Sequence, residues 1–264
     1  MIPLKDENPT RTTPIVTLLL MAACIAVYFL VQPTGQTSFV DADAQDAQVR
    51  EARFLLENAA IPNEITSGNP LDDAEVEGTF EVPSDVLCEP GGSDACYPDK
   101  SVWLSVLYSM FLHGGLLHLA GNMLFLWVFG NNIEDRRGRV TYIVFYVLAG
   151  IAATFAQVAI DPDSTIPMIG ASGAIAGVMG AYLVLYPNVR IRTLILLGFI
   201  LLFRDISAKW LLALWFISQF FIGPNSGVAA MAHIGGFVFG LVAGLVWRLA
   251  SRGDSDSGHQ VSYA

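Results

Sequence analysis

A serine flanked by small residues is the first candidate for chemistry in this sequence. Gly170-Ala171-Ser172-Gly173 begins an apolar segment that runs to Tyr186. In soluble hydrolases such a serine lies on a strand-to-helix turn within a sheet. Here the flanking segments are apolar over lengths that suit a membrane. We therefore ask which other polar residues lie at the depth of Ser172.

The composition is typical of a protein that crosses a membrane several times. Of the 264 residues, 53% are hydrophobic and 14% are charged, whereas soluble domains carry about 25% charged residues. Residues 33–100 hold 15 of the 24 acidic residues and only three basic ones. No basic patch lies outside the membrane flanks, so a nucleic-acid partner is not expected. The lipid bilayer is the expected environment.

Apolar segments predict an all-α, six-transmembrane-helix bundle. The first segment, 14–31, lacks charges and ends without a small-x-small site, which favours a membrane helix over a cleaved signal peptide. Ser101–Gly115 is predicted as a membrane-dipping loop before helix two. Ile191–Phe203 is predicted as a short interfacial segment between helices four and five. The other predicted helices are 116–130, 140–160, 169–186, 208–222 and 228–249.

The charged segments complete the predicted organisation. Residues 1–13 are interpreted as a short cytoplasmic tail and 251–264 as a disordered cytoplasmic tail. They flank a membrane domain at 14–250. Within that domain, the acidic segment 33–100 is expected to be an extracytoplasmic insert. It is predicted to be loop apart from a short helix within 41–60.

Basic residues orient the predicted bundle. With both termini in the cytoplasm, 11 of the 14 lysines and arginines lie on the cytoplasmic side, as the positive-inside rule requires. A full span at 191–203 would instead place Arg248 and Arg252 outside. The predicted location is the plasma membrane. Cys88 and Cys96 would then face an oxidising space and could form a disulfide, with two free thiols as the alternative.

Four polar residues converge near the outer surface of this predicted bundle. Ser172 lies roughly 6 Å, and His233 roughly 8 Å, below the outer ends of their helices. His118 and Asn122 are four residues apart and share one face of helix two. Polar groups inside a membrane are costly and by default indicate function.

Glycines predict close contact between helices four and six. Gly173 on one helix, and Gly236 and Gly240 on the other, belong to small-xxx-small series that let helix backbones touch in lipid. Such packing would place Ser172 against His233. A serine hydroxyl beside a neutral imidazole is an activated nucleophile.

Three motifs in this order resemble the rhomboid family of intramembrane serine proteases. They are His113-Gly-Gly-Leu-Leu-His118-Leu-Ala-Gly-Asn122, Gly170-Ala-Ser172-Gly173 and Ala232-His233-Ile-Gly-Gly236. The resemblance covers about residues 100–250. It implies a six-helix bundle whose active site opens to the outer face.

The resemblance also implies roles for individual residues. Ser172 corresponds to the nucleophile and His233 to the general base of a dyad that lacks a carboxylate. His118, Asn122 and the backbone N–H of Ser172 correspond to the oxyanion hole. His113 corresponds to a histidine that braces the membrane-embedded loop by hydrogen bonding.

Several polar or variable positions fall outside those roles. Ala176 stands where some rhomboids carry a tyrosine stacked on the catalytic histidine, so other packing must hold His233. Glu134 and Asp135, near three arginines, are interpreted as a surface ion-pair cluster. Gln157 is interpreted as a membrane-buried amide that bonds a neighbouring helix.

The sequence thus predicts an endopeptidase that cleaves single-span membrane proteins without a cofactor or metal. A metal is disfavoured because no third soft or acidic ligand lies at the depth of the histidines. The alternative is a catalytically inactive rhomboid-like protein that binds membrane-protein clients. A transporter is disfavoured because the polar residues are all shallow and on one side.

Overall fold

The computed structural model describes residues 1–33, 44–80, 83–88, 95–198, 200–223 and 226–254. Most of these residues are helical, and one small sheet lies at one end of the bundle. In chain order the elements are β1 (Ile2–Asp6), α1 (Ile15–Ala26, continued by a π-helical turn, Val27–Val31), α2 (Ala44–Asn58), α3 (Pro62–Ser67), α4 (Asp73–Phe80), α5 (Ser84–Leu87), α6 (Val102–Ser109), α7 (Leu116–Arg137), α8 (Arg139–Ile160), α9 (Ser172–Leu185), β2 (Arg190–Leu197), β3 (Ile200–Ser207), α10 (Ala208–Gln219) and α11 (Ala230–Asp254).

Three helices are long and apolar enough to cross a membrane, counted over the described ranges. They are α7, α8 and α11. The segment Ile15–Val31 and helix α9 are apolar but shorter. The predicted membrane-dipping loop before α7 contains the helix α6, which is followed by a turn to Gly115. Eight residues of the segment, Val102–Ser109, are therefore helical.

Helix α9 lies at the centre of the bundle. Its ten residues from Gly173 to Tyr182 are all buried, and it packs against α7, α8 and α11. A Cβ atom added at Gly180 would strike the backbone oxygen of Phe237 on α11. The two helix backbones are therefore in direct contact, which only small residues allow.

A three-stranded antiparallel sheet, in the order β1-β2-β3, corrects the all-α prediction. The predicted interfacial segment 191–203 forms most of a hairpin, in which Leu197 pairs with Ile200. The predicted tail 1–13 supplies β1, whose Ile2 pairs with Leu194. Local sequence does not indicate this pairing because it joins distant parts of the chain. At the other terminus α11 continues to Asp254, and the rest of the predicted tail 251–264 lies outside the described residues.

Glu134 and Asp135 act mainly as hydrogen-bond acceptors around the start of α1 rather than as a surface ion-pair cluster, which corrects a second interpretation. One of the nearby arginines does approach, since Nε of Arg139 lies 4.0 Å from Oε1 of Glu134. The Glu134 side chain is buried and accepts hydrogen bonds from the backbone nitrogens of Val16 (2.9 Å) and Thr17 (2.8 Å). Asp135 accepts a hydrogen bond from the backbone nitrogen of Thr12 at 2.8 Å. The first N–H groups of a helix lack intrahelical partners. Glu134 therefore satisfies the start of α1 and favours its dipole, while Asp135 binds the segment that precedes the helix.

The described residues of the insert between α1 and α6 are folded. Helix α2 confirms the short helix predicted within 41–60, whereas the rest was predicted to be loop. Helices α2, α4 and α5 contribute residues to a hydrophobic cluster separate from the core of the helix bundle. Burial raises the pKa of Glu64 and lowers the pKa of Lys100, and the two side chains form an ion pair that offsets part of both shifts. A disulfide joins Cys88 to Cys96 at the edge of the cluster. The cluster contains Leu56, Ile61, Leu71, Val76, Leu87, Cys88, Cys96 and Tyr97.

Removing this disulfide is expected to loosen the insert selectively. Closing so short a loop stabilises a fold by about 2–3 kcal/mol through chain entropy. The Cys88→Ser, Cys96→Ser double variant should therefore be cut faster within the insert during limited proteolysis. Cys24→Ala, which changes a buried cysteine in α1, is the matched control and should leave that rate unchanged. Alkylation of both Cys88 and Cys96 in unreduced native protein would contradict the bridge.

Candidate active site

The packing of α9 against α11 brings Ser172 and His233 together. Ser172 is the first residue of α9, and its Oγ lies 2.8 Å from the Nε2 atom of His233. Both residues are half-buried. Gly236 permits this approach, because a Cβ atom there would strike the carbonyl oxygen of Gly173. The pair has the geometry of a nucleophile hydrogen-bonded to its base.

Gly240→Leu is expected to lower both stability and activity. A Cβ atom at this position would overlap the carbonyl oxygen of Gly177, and backbone cannot move aside as a flexible side chain does. The helices would separate, and a displacement near 1 Å can cost about 100-fold in rate. Thermal unfolding and reporter cleavage would measure the two effects.

The control for Gly240→Leu must be a glycine with free space around its Cβ position. The sequence pattern places Gly235 off the face of Gly236 and predicts that it tolerates alanine better. The contacts do not separate the two positions, because a Cβ atom at Gly235 would strike Cβ of Ala156 on α8 as closely as one at Gly236 would strike the carbonyl oxygen of Gly173. Neither position therefore provides a control. Gly121 on α7 has open space at its Cβ position, so Gly121→Ala should behave like wild type. Equal activity of Gly240→Leu and wild type would refute the packing argument.

Helix α10 contacts the other side of the His233 ring. The Oε1 atom of Gln219 lies 2.8 Å from Nδ1 of His233. The ring of Trp215 lies 5.8 Å from the imidazole, centroid to centroid. The sequence analysis predicted a role for neither residue. The signal for Gln219 was its position as an amide within a mostly apolar helix. Ala176 itself is fully buried within the bundle.

Gln157 makes the interhelical hydrogen bond that the sequence predicted. Its Oε1 atom on α8 accepts a hydrogen bond from the backbone nitrogen of Ala232 at 3.3 Å. Ala232 precedes His233, but the amide of Gln157 bonds the backbone of α11 rather than the imidazole. It therefore serves to join two helices.

His118 and Asn122 lie beside Gly170, two residues before Ser172. Gly170 has φ +120°, and a Cβ atom there would lie 2.9 Å from Nε2 of His118 and 3.6 Å from Nδ2 of Asn122. The backbone nitrogen of Gly114 donates to Nδ1 of His118 at 3.4 Å. Nδ1 is thus the acceptor, and in the neutral ring Nε2 carries the proton. Because residue 170 is a glycine, the Nε2–H group of His118 fits beside the turn that leads to Ser172.

The amide of Asn122 is available as a second donor. The side chain is 7% exposed, and its Nδ2 atom has no hydrogen-bond partner among the described residues. A buried polar atom without a partner costs free energy and calls for a functional explanation. The two N–H groups of His118 and Asn122 together could bind an oxygen that carries negative charge.

His113 and Gln32 secure the turn that precedes α7. The Nδ1 atom of His113 lies 3.1 Å from the carbonyl oxygen of Phe111. Gln32, just beyond α1, donates to the carbonyl oxygen of His113 at 2.7 Å and accepts from its backbone nitrogen at 3.1 Å. Gln32 was missed because its contact partner is remote in sequence.

The insert contacts the segment that leads to Ser172. The backbone nitrogen of Met168 donates to the carbonyl oxygen of Ala60 at 2.8 Å, and that of Gly170 donates to the carbonyl oxygen of Ser109 at 2.8 Å. The Ser109 hydroxyl accepts from the backbone nitrogen of Ala60 at 2.6 Å. The segment is therefore held by both the insert and α6.

This fold and site define a helical membrane protein with a serine–histidine pair near one end of its bundle. The family model of the Rhomboid domain matches residues 100–249. Because that match covers more than half of the chain, the protein belongs to the rhomboid family.

Curated relatives agree with this family membership. The chain is 32% identical to Rhomboid protease GluP of Bacillus subtilis over 57% of this chain and 27% of that protein. It is 27% identical to Rhomboid-type serine protease 2 of Emericella nidulans over 70% of this chain and 34% of that protein. It is 29% identical to the mitochondrial Presenilin-associated rhomboid-like protein of Bos taurus over 60% of this chain and 38% of that protein. The chain thus spans well under half the length of these relatives.

Proposed function

We propose that this chain is an intramembrane serine endopeptidase that cleaves single-span membrane proteins. The observation that carries the proposal is the 2.8 Å contact between Ser172 Oγ and His233 Nε2. The Nδ2 atom of Asn122, which has no hydrogen-bond partner in the part of the chain that the structure describes, supports it independently. Two of the relatives are named as proteases.

The proposed chemistry is acyl transfer through the dyad. Ser172 Oγ attacks the scissile carbonyl while His233 Nε2 takes the hydroxyl proton and later gives it to the leaving amine. Water then hydrolyses the acyl-enzyme. The carbonyl oxygen that becomes negative would accept hydrogen bonds from His118 Nε2–H and Asn122 Nδ2–H. The backbone N–H of Ser172 lies in the first turn of α9, where N–H groups lack intrahelical partners, and would be the third donor.

The proposed topology has six membrane-spanning helices, α1 and α7–α11, in the plasma membrane with both termini in the cytoplasm. Strands β1–β3 carry Lys5, Arg192 and Arg204 at one end of the bundle, which the positive-inside rule places in the cytoplasm. The insert and Ser172 lie together at the other end, which would face the outer side. The disulfide in the insert fits an oxidising space there.

Cleavage of a single-span reporter tests the proposal. Wild-type protein and Ser172→Ala would be purified, placed in liposomes with the reporter, and compared by gel and mass spectrometry. We expect a single cut within or beside the transmembrane segment for wild type and none for Ser172→Ala. Binding of several reporters without any cleavage would favour the inactive client-binding alternative and reject the protease.

A further inference from the structure

We propose that Gln219 is a positioning residue that fixes the tautomer of His233, so that the dyad depends on a third side chain supplied by α10. The kinetic part of this inference rests on the proposed protease function. The tautomer itself is a property of the folded protein and can be measured whether or not the protein cleaves a substrate.

Hydrogen bonds fix which end of the Gln219 amide faces the imidazole. The side chain is 5% exposed. Its Nε2 atom lies 3.0 Å from the carbonyl oxygen of Trp215 and 3.1 Å from Oγ of Ser218. A carbonyl oxygen can only accept, so the NH₂ group must occupy this side. The Oε1 atom is left to face His233 at 2.8 Å.

The orientation of Gln219 dictates the protonation of the ring. An amide oxygen can only accept, so Nδ1 of His233 must carry its proton. A neutral imidazole has one N–H, and Nε2 therefore presents a lone pair to the Ser172 hydroxyl at 2.8 Å. The other tautomer would set the lone pair of Nδ1 against that of Oε1. Gln219 therefore selects the form of His233 that can take a proton from serine.

Gln219 is not needed to attach α10 to α11. The Phe216 ring on α10 stacks on Phe237 at 4.6 Å, and the Trp215 ring lies 5.9 Å from Phe237. These apolar contacts remain when the amide is replaced by a hydrocarbon of similar size. Gln219→Leu should therefore fold with α10 in place. It loses the acceptor that faces His233 and two donated hydrogen bonds that lie within α10 itself.

The first experiment measures the tautomer directly. Protein labelled with ¹⁵N-histidine would be studied by NMR in detergent, with the His233 signals assigned by their loss in His233→Asn. Wild type should show Nδ1–H and unprotonated Nε2. Gln219→Leu should show a mixture of tautomers or the reverse form. An unchanged Nδ1–H form in Gln219→Leu, or an Nε2–H form in wild type, would overturn the proposal.

Kinetics supply the second readout. Losing one such hydrogen bond should lower kcat about 10-fold with little change in KM. Gln219→Glu keeps an acceptor oxygen on a side chain of the same length and should recover Nδ1–H and most of the rate. Gln157→Leu is the matched control, because it removes a half-buried glutamine that bonds α11 without touching the ring.

The control separates a positioning role from a structural one. Gln157→Leu should lower thermal stability and leave the tautomer of His233 unchanged. If Gln219→Leu loses activity only in proportion to stability and keeps the wild-type tautomer, Gln219 is structural and the proposal fails. If wild type cleaves nothing, the protease function fails, while the NMR comparison still decides the role of Gln219.

Discussion

Ser172→Ala and His233→Ala are each expected to abolish cleavage, with losses on the order of 10⁶-fold as for the equivalent groups of a soluble serine protease. The two side chains act as one unit through their 2.8 Å hydrogen bond. The double variant should consequently be no slower than either single variant. Initial rates of reporter cleavage in liposomes would measure all three.

A serine outside the site provides the control for these variants. Ser105 on α6 is buried, and its hydroxyl donates to the carbonyl oxygen of Val102 within the same helix at 2.7 Å. Ser105→Ala should keep wild-type turnover. Thermal unfolding should show that Ser172→Ala is folded. Measurable turnover by folded Ser172→Ala would remove Ser172 from the role of nucleophile.

Asn122→Ala is expected to lower kcat by about 100- to 1000-fold, the typical cost of one oxyanion donor. Because Nδ2 of Asn122 has no hydrogen-bond partner among the described residues, its removal breaks no bond of that atom in the folded protein. Thermal stability should therefore be unchanged or slightly higher. Loss of rate without loss of stability is the pattern of a group that acts only during the reaction.

Asn132 offers a matched asparagine on the same helix. It is buried and donates through Nδ2 to the carboxylate of Asp6 at 2.6 Å, far along α7 from the site. Asn132→Ala should lower stability, because it leaves a buried carboxylate with fewer hydrogen bonds. Its kcat should change far less than that of Asn122→Ala. Near-normal turnover by Asn122→Ala would mean that His118 and the backbone suffice.

The residues of the candidate site were largely predictable from motifs and helical periodicity. Ser172 and His233 were placed at one depth by counting residues from the helix ends, and the glycine series indicated which helices touch. The structure brings these residues together. His118 and Asn122 share a helical face at four-residue spacing, and both lie beside Gly170.

The unpredicted features depend on contacts between distant parts of the chain. Gln219 and Trp215 contact His233 only because α10 packs against α11, and periodicity does not reveal which neighbour an amide will meet. Strand β1 forms because it pairs with β2, whereas its own sequence is only five residues long and contains a proline. The insert has few large apolar residues, but most of its buried ones gather in one cluster.

Gly198 was an overlooked local signal for the hairpin. It lies between two runs of branched apolar residues and has φ +60°, a conformation that favours glycine. Two strand-like runs around a glycine are typical of a hairpin. The composition of 191–203 was instead interpreted as a membrane-surface segment.

Covalent capture of the nucleophile tests the central claim most directly. A fluorophosphonate reacts with a serine hydroxyl only when a neighbouring base activates it. The folded wild-type protein should carry one label, on the peptide that contains Ser172, and His233→Ala and heat-unfolded protein should carry none. A label on another serine of folded wild type, or equal labelling of Ser172 in His233→Ala, would contradict a Ser172–His233 dyad.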